Sequence, residues 1–185
     1  MIKVLIIATP RSGSTTLLDS ISKAYGITGY YEPFGSKARA KKYDFNSGDH
    51  VIKTIVDQIN LDTFDIERYT HLICLTRKNI LEAAQSYDYA MRKHDPSDGM
   101  SWHRGYTLKE SDNKTKYYKR FKDEFDIVSN LSIFPVFYED LFFGTKEEVL
   151  SILQKLGFPR TKSILIYEEM MKTPKYRKHK AKKVL

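Results

Sequence analysis

Apolar residues occur along the chain in two patterns, short segments that are mostly apolar and longer segments in which they recur every three or four positions. The short segments predict strands buried on both faces of a parallel sheet. They lie at 3–8, 51–56, 70–76 and 133–138. The segments with helical spacing lie at 14–25, 79–92, 117–128, 145–156 and 162–172. Strands separated by helices predict a three-layer α/β fold, in which a mostly parallel sheet is flanked by helices.

Local signals mark the ends of several elements. Thr145 followed by Glu148 forms a capping box at a helix start. Gly157 stands where a C-cap glycine belongs, just beyond the apolar stripe of the same helix. Residues 30–34 predict a short extended piece that Pro33 ends.

The chain predicts one domain followed by a tail. No repeat and no domain-scale linker interrupts it, so residues 1–170 are expected to form a single α/β domain. Residues 171–185 are expected to form a basic C-terminal tail. Polar residues dominate 36–49 and 94–113, and both segments are predicted to be loops.

The net charge of +8 is concentrated in that tail. It carries seven basic residues and no acidic one, whereas the rest of the chain carries 24 basic and 23 acidic residues. A basic end of this kind is most often a solvated chain end. It is also compatible with contact to nucleic acid or a membrane surface, or with an anionic cofactor. We favour the solvated end, so nucleic acid is not an expected partner.

Cysteine usage and hydropathy point to a cytoplasmic protein. Cys74 is the only cysteine, so no disulfide forms within the chain, and a reducing compartment is expected. No segment approaches the roughly 18 apolar residues of a membrane span. The run at 3–8 is short and is followed at once by Pro10 and Arg11, which favours a buried strand over a signal peptide.

The loop between the first predicted strand and the first helix has the chemistry of an anion site. Gly13 permits close approach of a ligand to the backbone, and residues 14–16 place hydroxyls and free N–H groups at a helix N-terminus. Arg11 adds a fixed charge with a planar fork of donors. Because ligands of parallel α/β sheets bind at the carboxyl ends of the strands, this position suits a binding site.

The loop differs from the P-loop pattern G-x-x-x-x-G-K-[ST] of many nucleotide-binding enzymes. With Gly13 as the second glycine, Ala8 replaces the first glycine and Ser14 replaces the lysine. Arg77 rather than an acidic partner for magnesium follows the strand predicted at 70–76. The loop therefore predicts a site for a 5′-phosphate group without a bound metal, and a nucleotide kinase remains the alternative.

Three motifs, in this order, resemble those of sulfotransferases that use 3′-phosphoadenosine 5′-phosphosulfate (PAPS). Residues 9–15, TPRSGST, resemble the family's 5′-phosphosulfate loop. Residues 75–79, LTRKN, lead to QSY at 85–87 and are similar to its 3′-phosphate motif. Residues 137–141, FYEDL, precede a helix that ends in LQKLG at 153–157, similar to the family's YEDL and LG segment.

The resemblance covers roughly residues 3–160 and implies a P-loop-like sulfotransferase fold, with PAPS as co-substrate and no metal. The sequence YEPF at 31–34 and the nine-residue step from Arg77 to Ser86 look most like the bacterial carbohydrate sulfotransferases of the trehalose-sulfating type. The implied activity is transfer of a sulfuryl group from PAPS to a hydroxyl, with a carbohydrate or small metabolite as acceptor.

The resemblance also implies roles for particular residues. Arg11 and Lys53 are expected to stabilise charge on the sulfuryl group, and Glu32 is expected to be the general base. Many cytosolic relatives have a histidine base where this chain has Ile55, whereas the carbohydrate-type relatives use a glutamate before a proline, as Glu32 is. The residues expected to bind the co-substrate are Arg11, Ser12, Gly13, Ser14, Thr15, Thr16, Arg77 and Ser86.

Plainer interpretations of the same residues stay open at this point. Arg77 is also compatible with a surface ion pair, Ser86 with a surface hydroxyl, Lys53 with a strand edge and Glu32 with a solvated carboxylate. Residues 138–140 are compatible with a purely structural role at a strand end. At the level of function, the alternatives are a module that binds PAPS or another nucleotide without catalysis, a kinase-like enzyme and a nucleic-acid binder.

Overall fold

Five parallel strands form a single sheet in the computed structural model, in the order β2-β3-β1-β4-β5. The structure describes residues 1–36, 43, 45, 48–92 and 114–172. The strands are β1 (Lys3–Ala8), β2 (Thr28–Tyr31), β3 (His50–Ile55), β4 (His71–Thr76) and β5 (Val136–Phe137). The parallel sheet of the sequence-based prediction is confirmed, and all five described strands are parallel.

Helices flank the sheet on both faces. They are α1 (Ser14–Tyr25), α2 (Ile80–Arg92), α3 (Lys114–Asn130), α4 (Tyr138–Phe143), α5 (Lys146–Lys155) and α6 (Arg160–Lys172). Short 3-10 turns occupy Pro33–Gly35 and Val56–Gln58. No described helix combines the length and the apolar character needed to cross a membrane.

Alternate residues of β1 enter two separate apolar cores, which is why this strand is apolar from Val4 to Ala8. Val4, Ile6 and Ala8 lie in a core with α1 and α4–α6. Leu5 and Ile7 lie in a second core with α3 and the segment 59–69. All five side chains are fully buried. The molecule therefore has three layers, and the expectation of an α/β fold with helices on both faces is confirmed.

The chain changes direction across the sheet between β1 and β4. After β1 it continues through α1 to β2 on one side, and after β4 it continues through α2 and α3 to β5 on the other. Such a reversal leaves a crevice at the carboxyl ends of the two strands, where ligands of open α/β sheets bind. The Thr9 amide donates to the Leu75 carbonyl at 3.1 Å, and the hydroxyls of Thr9 and Thr76 lie 3.2 Å apart.

The strand predicted at 133–138 is wrong for most of its length. Only Val136 and Phe137 pair with β4, Ile133 is fully exposed, and a helix starts at Tyr138. Proline at position 135 cannot donate a ladder hydrogen bond, so pairing cannot extend back through it. Acidic residues in the first turn of α4 favour the helix because they face the positive end of its dipole.

Other boundaries differ by smaller amounts. The extended piece predicted at 30–34 ends at Tyr31, and Pro33 begins a 3-10 turn instead. The strand predicted at 51–56 ends at Ile55, and Val56 begins the next 3-10 turn. The last helix starts at Arg160, two residues earlier than predicted. Gly157 has a φ of +92°, as expected for a glycine beyond a helix end. The loop predicted at 94–113 and most of 36–49 lie outside the described residues. Of the tail predicted at 171–185, the first two residues belong to α6 and the others also lie outside the described residues.

The predicted capping box at the start of α5 is confirmed, and it gives a first prediction. Thr145 Oγ1 accepts from the Glu148 amide at 3.3 Å, and Glu148 Oε2 accepts from the Thr145 amide at 2.7 Å. We expect Thr145→Ala to lower the free energy of unfolding by about 1 kcal/mol in urea denaturation. Thr161→Ala, at an exposed position inside α6, is the control and should change it by less than about 0.5 kcal/mol. Equal effects of the two would contradict the capping role.

Candidate anion site at the carboxyl ends of β1 and β4

The loop after β1 turns sharply on two residues with left-handed backbones. Arg11 has a φ of +64° and Gly13 a φ of +78°. Ser12 is fully buried between them, and its hydroxyl donates to the Thr9 carbonyl at 2.7 Å. A left-handed conformation costs a non-glycine residue on the order of 1–2 kcal/mol, so the fold holds Arg11 in place against its own preference. Such strain is concentrated at functional sites.

The turn places the N-terminus of α1 at the crevice. This helix end has no capping side chain. Gly13 is the N-cap residue, so no side chain there accepts from the first amides, and the first turn contains no acidic residue. The first N–H groups of a helix have no partner within it and carry its positive partial charge. This end of α1 is therefore suited to an anion. Ser14 is buried, and Thr15 and Thr16 are half-buried in the same turn.

Gly13 also lies against the aromatic side chains of α4. A Cβ atom at this position would lie 2.7 Å from Cε2 of Phe142 and 2.9 Å from Cδ2 of Tyr138. Only glycine fits so close an approach. The YEDL segment therefore holds the loop directly, since its tyrosine packs on the loop backbone.

Arg11, Arg77 and Ser86 come together beside this loop. Arg11 Nε donates to Ser86 Oγ at 3.0 Å, although Arg11 follows β1 and Ser86 lies one and a half turns into α2. Burial, and after it the positive charge of Arg77, lowers the pKa of Arg11, against a smaller opposing contribution from Tyr138. The cationic form of Arg11 is thus less favourable here than in water. A nearby anion would offset that cost.

Arg77 is buried and only partly satisfied. It is 7% exposed, and its guanidinium carbon lies 4.4 Å from the centroid of the Tyr138 ring, a cation–π contact. Its Nη2 lies 3.0 Å from Glu82 Oε1, and its Nε lies 3.7 Å from Glu139 Oε1. That Nε is shielded from solvent and has no hydrogen-bond partner within the described ranges. A buried donor without an acceptor destabilises the folded state.

Glu139 has a structural role at the start of α2. Its two carboxylate oxygens accept from the amides of Lys78 at 2.9 Å and Asn79 at 3.2 Å. Lys78 Nζ in turn donates to Asp140 at 2.6 Å on the surface. These contacts fix the β4–α2 turn to α4 and set the direction of Arg77, which is the part that residues 138–140 play in the site.

Lys53 and Glu32 form a second polar group on the other side of the α1 N-terminus. Lys53 is 6% exposed, forms an ion pair with Glu32 and lies 3.4 Å from Thr15 Oγ1. Tyr31 pairs with Lys53 in the parallel register, so Glu32 follows β2 at the carboxyl edge. Glu32 has a φ of +48°, and among the described residues it shares a positive φ with only one other non-glycine residue, Arg11.

Sequence reasoning missed Gln58, which holds Glu32 in place. Gln58 Nε2 donates to Glu32 Oε2 at 3.0 Å, while its Oε1 accepts from the Ile55 amide at 3.2 Å and the Thr54 hydroxyl at 3.3 Å. The amide of Gln58 is therefore fixed in orientation. Nothing in the spacing indicates this contact, because Gln58 follows β3 and Glu32 follows β2. Only the pairing of the two strands brings them together.

The predicted site residues thus form two neighbouring groups around one helix start. Arg11, Arg77 and Ser86 form one polar group, and Lys53 and Glu32 form an ion pair that reaches Thr15. Ser12 and Gly13 shape the loop between them, while the carbonyl of Thr16 accepts from Ser20 inside α1.

The two described histidines lie away from this site. His50 and His71 begin β3 and β4 at the opposite, amino edge of the sheet. Within the described part of the chain, no three His, Cys, Asp or Glu side chains are placed to hold a metal ion. The chain matches no protein-family model, and no curated protein sequence matches it.

Proposed function

We propose that the protein is a sulfotransferase, which binds PAPS at the carboxyl ends of β1 and β4 and transfers its sulfuryl group to a hydroxyl acceptor, a carbohydrate or small metabolite. The observation that carries the proposal is the convergence of Arg11, Arg77 and Ser86 beside the uncapped N-terminus of α1. The resemblance of three motifs in order then selects PAPS among anionic ligands.

The charges of the site favour a ligand with two separate anionic groups. Arg77 follows β4 and Ser86 lies on α2, and both are suited to the 3′-phosphate. Arg11 and the uncapped N-terminus of α1 are suited to the 5′-phosphosulfate. The carboxylates near Arg77, Glu82 and Glu139, are 35% and 22% exposed, so solvent screens them more than the buried guanidinium.

The position of Lys53 separates this site from that of a P-loop kinase. In the P-loop pattern a lysine within the loop binds the phosphates, and here Ser14 occupies that position. The lysine comes instead from β3 and lies beside Thr15, already paired with Glu32. A lysine paired with a carboxylate suits a reaction in which one group neutralises charge while its neighbour accepts a proton.

The chemistry expected of these residues is positioning, neutralisation and one proton transfer. PAPS supplies a sulfuryl group whose S–O bond to the 5′-phosphate breaks, with its electron pair leaving on that phosphate, as the acceptor oxygen bonds to sulfur. Arg11 and Lys53 stabilise the negative charge of the sulfuryl oxygens and the leaving phosphate. Glu32 receives the proton of the acceptor hydroxyl, and Gln58 orients it for this step. Lys53 must turn from Glu32 toward the sulfuryl group before the proton is transferred.

Calorimetric titration with the desulfated product, 3′-phosphoadenosine 5′-phosphate (PAP), tests the proposal. We expect wild-type protein to bind PAP in buffer without magnesium. Arg11→Ala should weaken binding about tenfold, because one charge-assisted contact to the 5′ side is lost. Arg160→Ala removes an exposed arginine at the start of α6 and should leave the affinity unchanged.

Absence of binding to folded wild-type protein would overturn the sulfotransferase proposal. A requirement for magnesium and a preference for ATP over PAP would favour the kinase-like alternative. Equal losses in Arg11→Ala and Arg160→Ala would show that binding follows net charge and not this site.

A further inference from the structure

Lys53 lies between the start of α1 and the carboxylate proposed as general base. Its ammonium group forms an ion pair with Glu32 and donates to Thr15 Oγ1 at 3.4 Å. Thr15 belongs to the first turn of α1, whose amides have no capping side chain. Lys53 is buried, and a buried ammonium group depends strongly on its few partners. A change at the start of α1 is therefore expected to affect the ion pair with Glu32.

Glu32 is held in place independently of the Lys53 ammonium group. Its backbone amide donates to the Lys53 carbonyl at 2.7 Å, and its own carbonyl accepts from the Gly35 amide at 3.1 Å. On the side chain, Gln58 Nε2 donates to Oε2 at 3.0 Å, whereas the Lys53 ammonium group binds Oε1. If the ammonium group turns away, the carboxylate keeps these contacts and loses its cation.

Lys53 is the partner that can move. Its ammonium group is a compact charge with three donors at the end of a flexible four-carbon chain. Because the Thr15 hydroxyl already accepts from it, rotation about the side-chain bonds carries the charge from Glu32 toward the first amides of α1. An anion bound at those amides therefore competes with Glu32 for the same cation.

We propose that Glu32 and an anion at the N-terminus of α1 compete for Lys53, so that binding of the co-substrate releases Glu32 from its cation. The second half of the inference rests on the proposed function. Without PAPS, Lys53 neutralises Glu32, and the paired carboxylate is a poor proton acceptor. With PAPS bound, Lys53 turns to the sulfuryl group, so Glu32 becomes available as a base only when the donor is in place.

The competition has a thermodynamic consequence that can be measured without an acceptor. Coupling between two binding events is reciprocal. If a bound anion weakens the ion pair between Lys53 and Glu32, then removal of the Glu32 carboxylate must strengthen anion binding, and this gain must depend on Lys53.

Calorimetric titration of PAP into four proteins tests the competition. The proteins are wild type, Glu32→Gln, Lys53→Met and the double variant, which form a double-mutant cycle. Where Lys53 is present, Glu32→Gln should tighten PAP binding about tenfold, because the ammonium group no longer has to leave a carboxylate. In Lys53→Met the same substitution should tighten it only about threefold, because only the direct repulsion between carboxylate and phosphate is removed. Equal factors in the two backgrounds would overturn the competition.

Asp19→Asn is the matched control. Asp19 lies one turn after Thr15 on α1, accepts from the Tyr31 hydroxyl and has no ion pair with Lys53 in the described ranges. Its substitution should tighten PAP binding by less than about twofold, and equally with and without Lys53. A dependence on Lys53 as large as that of Glu32→Gln would show that Lys53 responds to net charge, against the proposed competition.

Glu32→Asp keeps the test open where Glu32→Gln does not fold. It retains the charge but shortens the side chain by one methylene group, which weakens the ion pair with Lys53. It should tighten PAP binding about twofold to threefold, and unchanged or weaker binding would contradict the competition.

Inorganic sulfate separates this inference from the proposed function. Titrated into ¹⁵N-labelled protein and followed by NMR, sulfate should shift the amides of residues 13–16, and Glu32→Gln should tighten its binding about tenfold only where Lys53 is present. This result without binding of PAP to any variant would overturn the proposed sulfotransferase function and support the competition. Binding of PAP with equal factors in the two backgrounds would overturn the competition alone. Binding of neither ligand to folded protein would overturn both.

Discussion

Arg77→Ala is expected to lower the affinity for PAP by about a hundredfold, the largest loss for any single side chain of the proposed site. Charge-assisted hydrogen bonds contribute roughly 1.5 kcal/mol or more each, and the fork of Arg77 can make two of them to one phosphate, which corresponds to two factors of ten. The substitution also leaves Glu82 and Glu139 without their cation, so two carboxylates would then face the bound phosphate.

Arg77→Lys gives an intermediate test. It keeps a positive charge but lacks the planar fork, so about tenfold weaker binding than wild type is expected. Lys78→Ala is the control for charge, because it removes a cation from the next residue, whose side chain is 53% exposed and paired with Asp140. It should change the affinity by less than about threefold. Calorimetry measures all three variants, and circular dichroism checks that each is folded.

Undiminished PAP binding by folded Arg77→Ala would contradict the assignment of the 3′-phosphate to Arg77. A loss in Lys78→Ala as large as that in Arg77→Ala would show that binding depends on the overall electrostatic potential at the carboxyl edge of the sheet and not on a specific contact. The proposal requires that the buried arginine and the exposed lysine beside it behave differently.

The fold could be predicted because its central elements carry strong local signals. Residues 4–8 are apolar without interruption, and a short loop with Pro10 and Gly13 separates them from a helix with a clear apolar stripe. The prediction of a strand at 133–138 failed because the apolar pattern alone does not determine the structure there. Residues 133–138 have the composition of a strand, but proline at 135 and the acidic start of α4 limit the strand to two residues.

The candidate site could be predicted as a set of residues but not as an arrangement. The motifs indicated Arg11, Arg77 and Ser86, yet the direct contact between Arg11 and Ser86 depends on how α2 leaves β4. The pairing of Lys53 with Glu32 depends on the β2–β3 register. Gln58 had no signal of its own, and the motif that contains Tyr138 did not indicate that its ring contacts Arg77, because both roles arise from tertiary contacts.

Backbone strain links the two groups of the site. Arg11 and Glu32 were singled out by motif alone, and they are the two non-glycine residues in the described ranges with positive φ. Each costs on the order of 1–3 kcal/mol, which the surrounding packing must offset. The two strained residues lie on opposite sides of the α1 N-terminus, and the fold keeps them there at some cost in stability.

Gly13→Ala is expected to destabilise the protein by about 3 kcal/mol, more than any other single-methyl addition that we propose. A left-handed backbone with a φ of +78° costs an alanine about 1 kcal/mol. The added Cβ would also lie within 3 Å of the rings of Phe142 and Tyr138, and such overpacking costs roughly 1–3 kcal/mol. Urea denaturation of the wild-type protein and of Gly13→Ala measures the sum of the backbone cost and the overpacking cost.

Gly26→Ala separates the two contributions. Gly26 ends α1 with a φ of +67°, close to that of Gly13, but a Cβ there would have no neighbour within 4 Å. It should therefore show only the backbone cost of about 1 kcal/mol. Phe142→Leu in the Gly13→Ala background should recover part of the difference, because two substitutions in contact are not additive.

Equal destabilisation by Gly13→Ala and Gly26→Ala would contradict the close packing of the loop on α4. If the packing holds, the effect reaches the anion site as well. Tyr138 lies between the loop backbone and the Arg77 guanidinium, so a methyl group that displaces its ring also displaces Arg77. Gly13→Ala should therefore weaken PAP binding at temperatures where the variant is still folded, whereas Gly26→Ala, at the far end of the same helix, should bind PAP as wild type does.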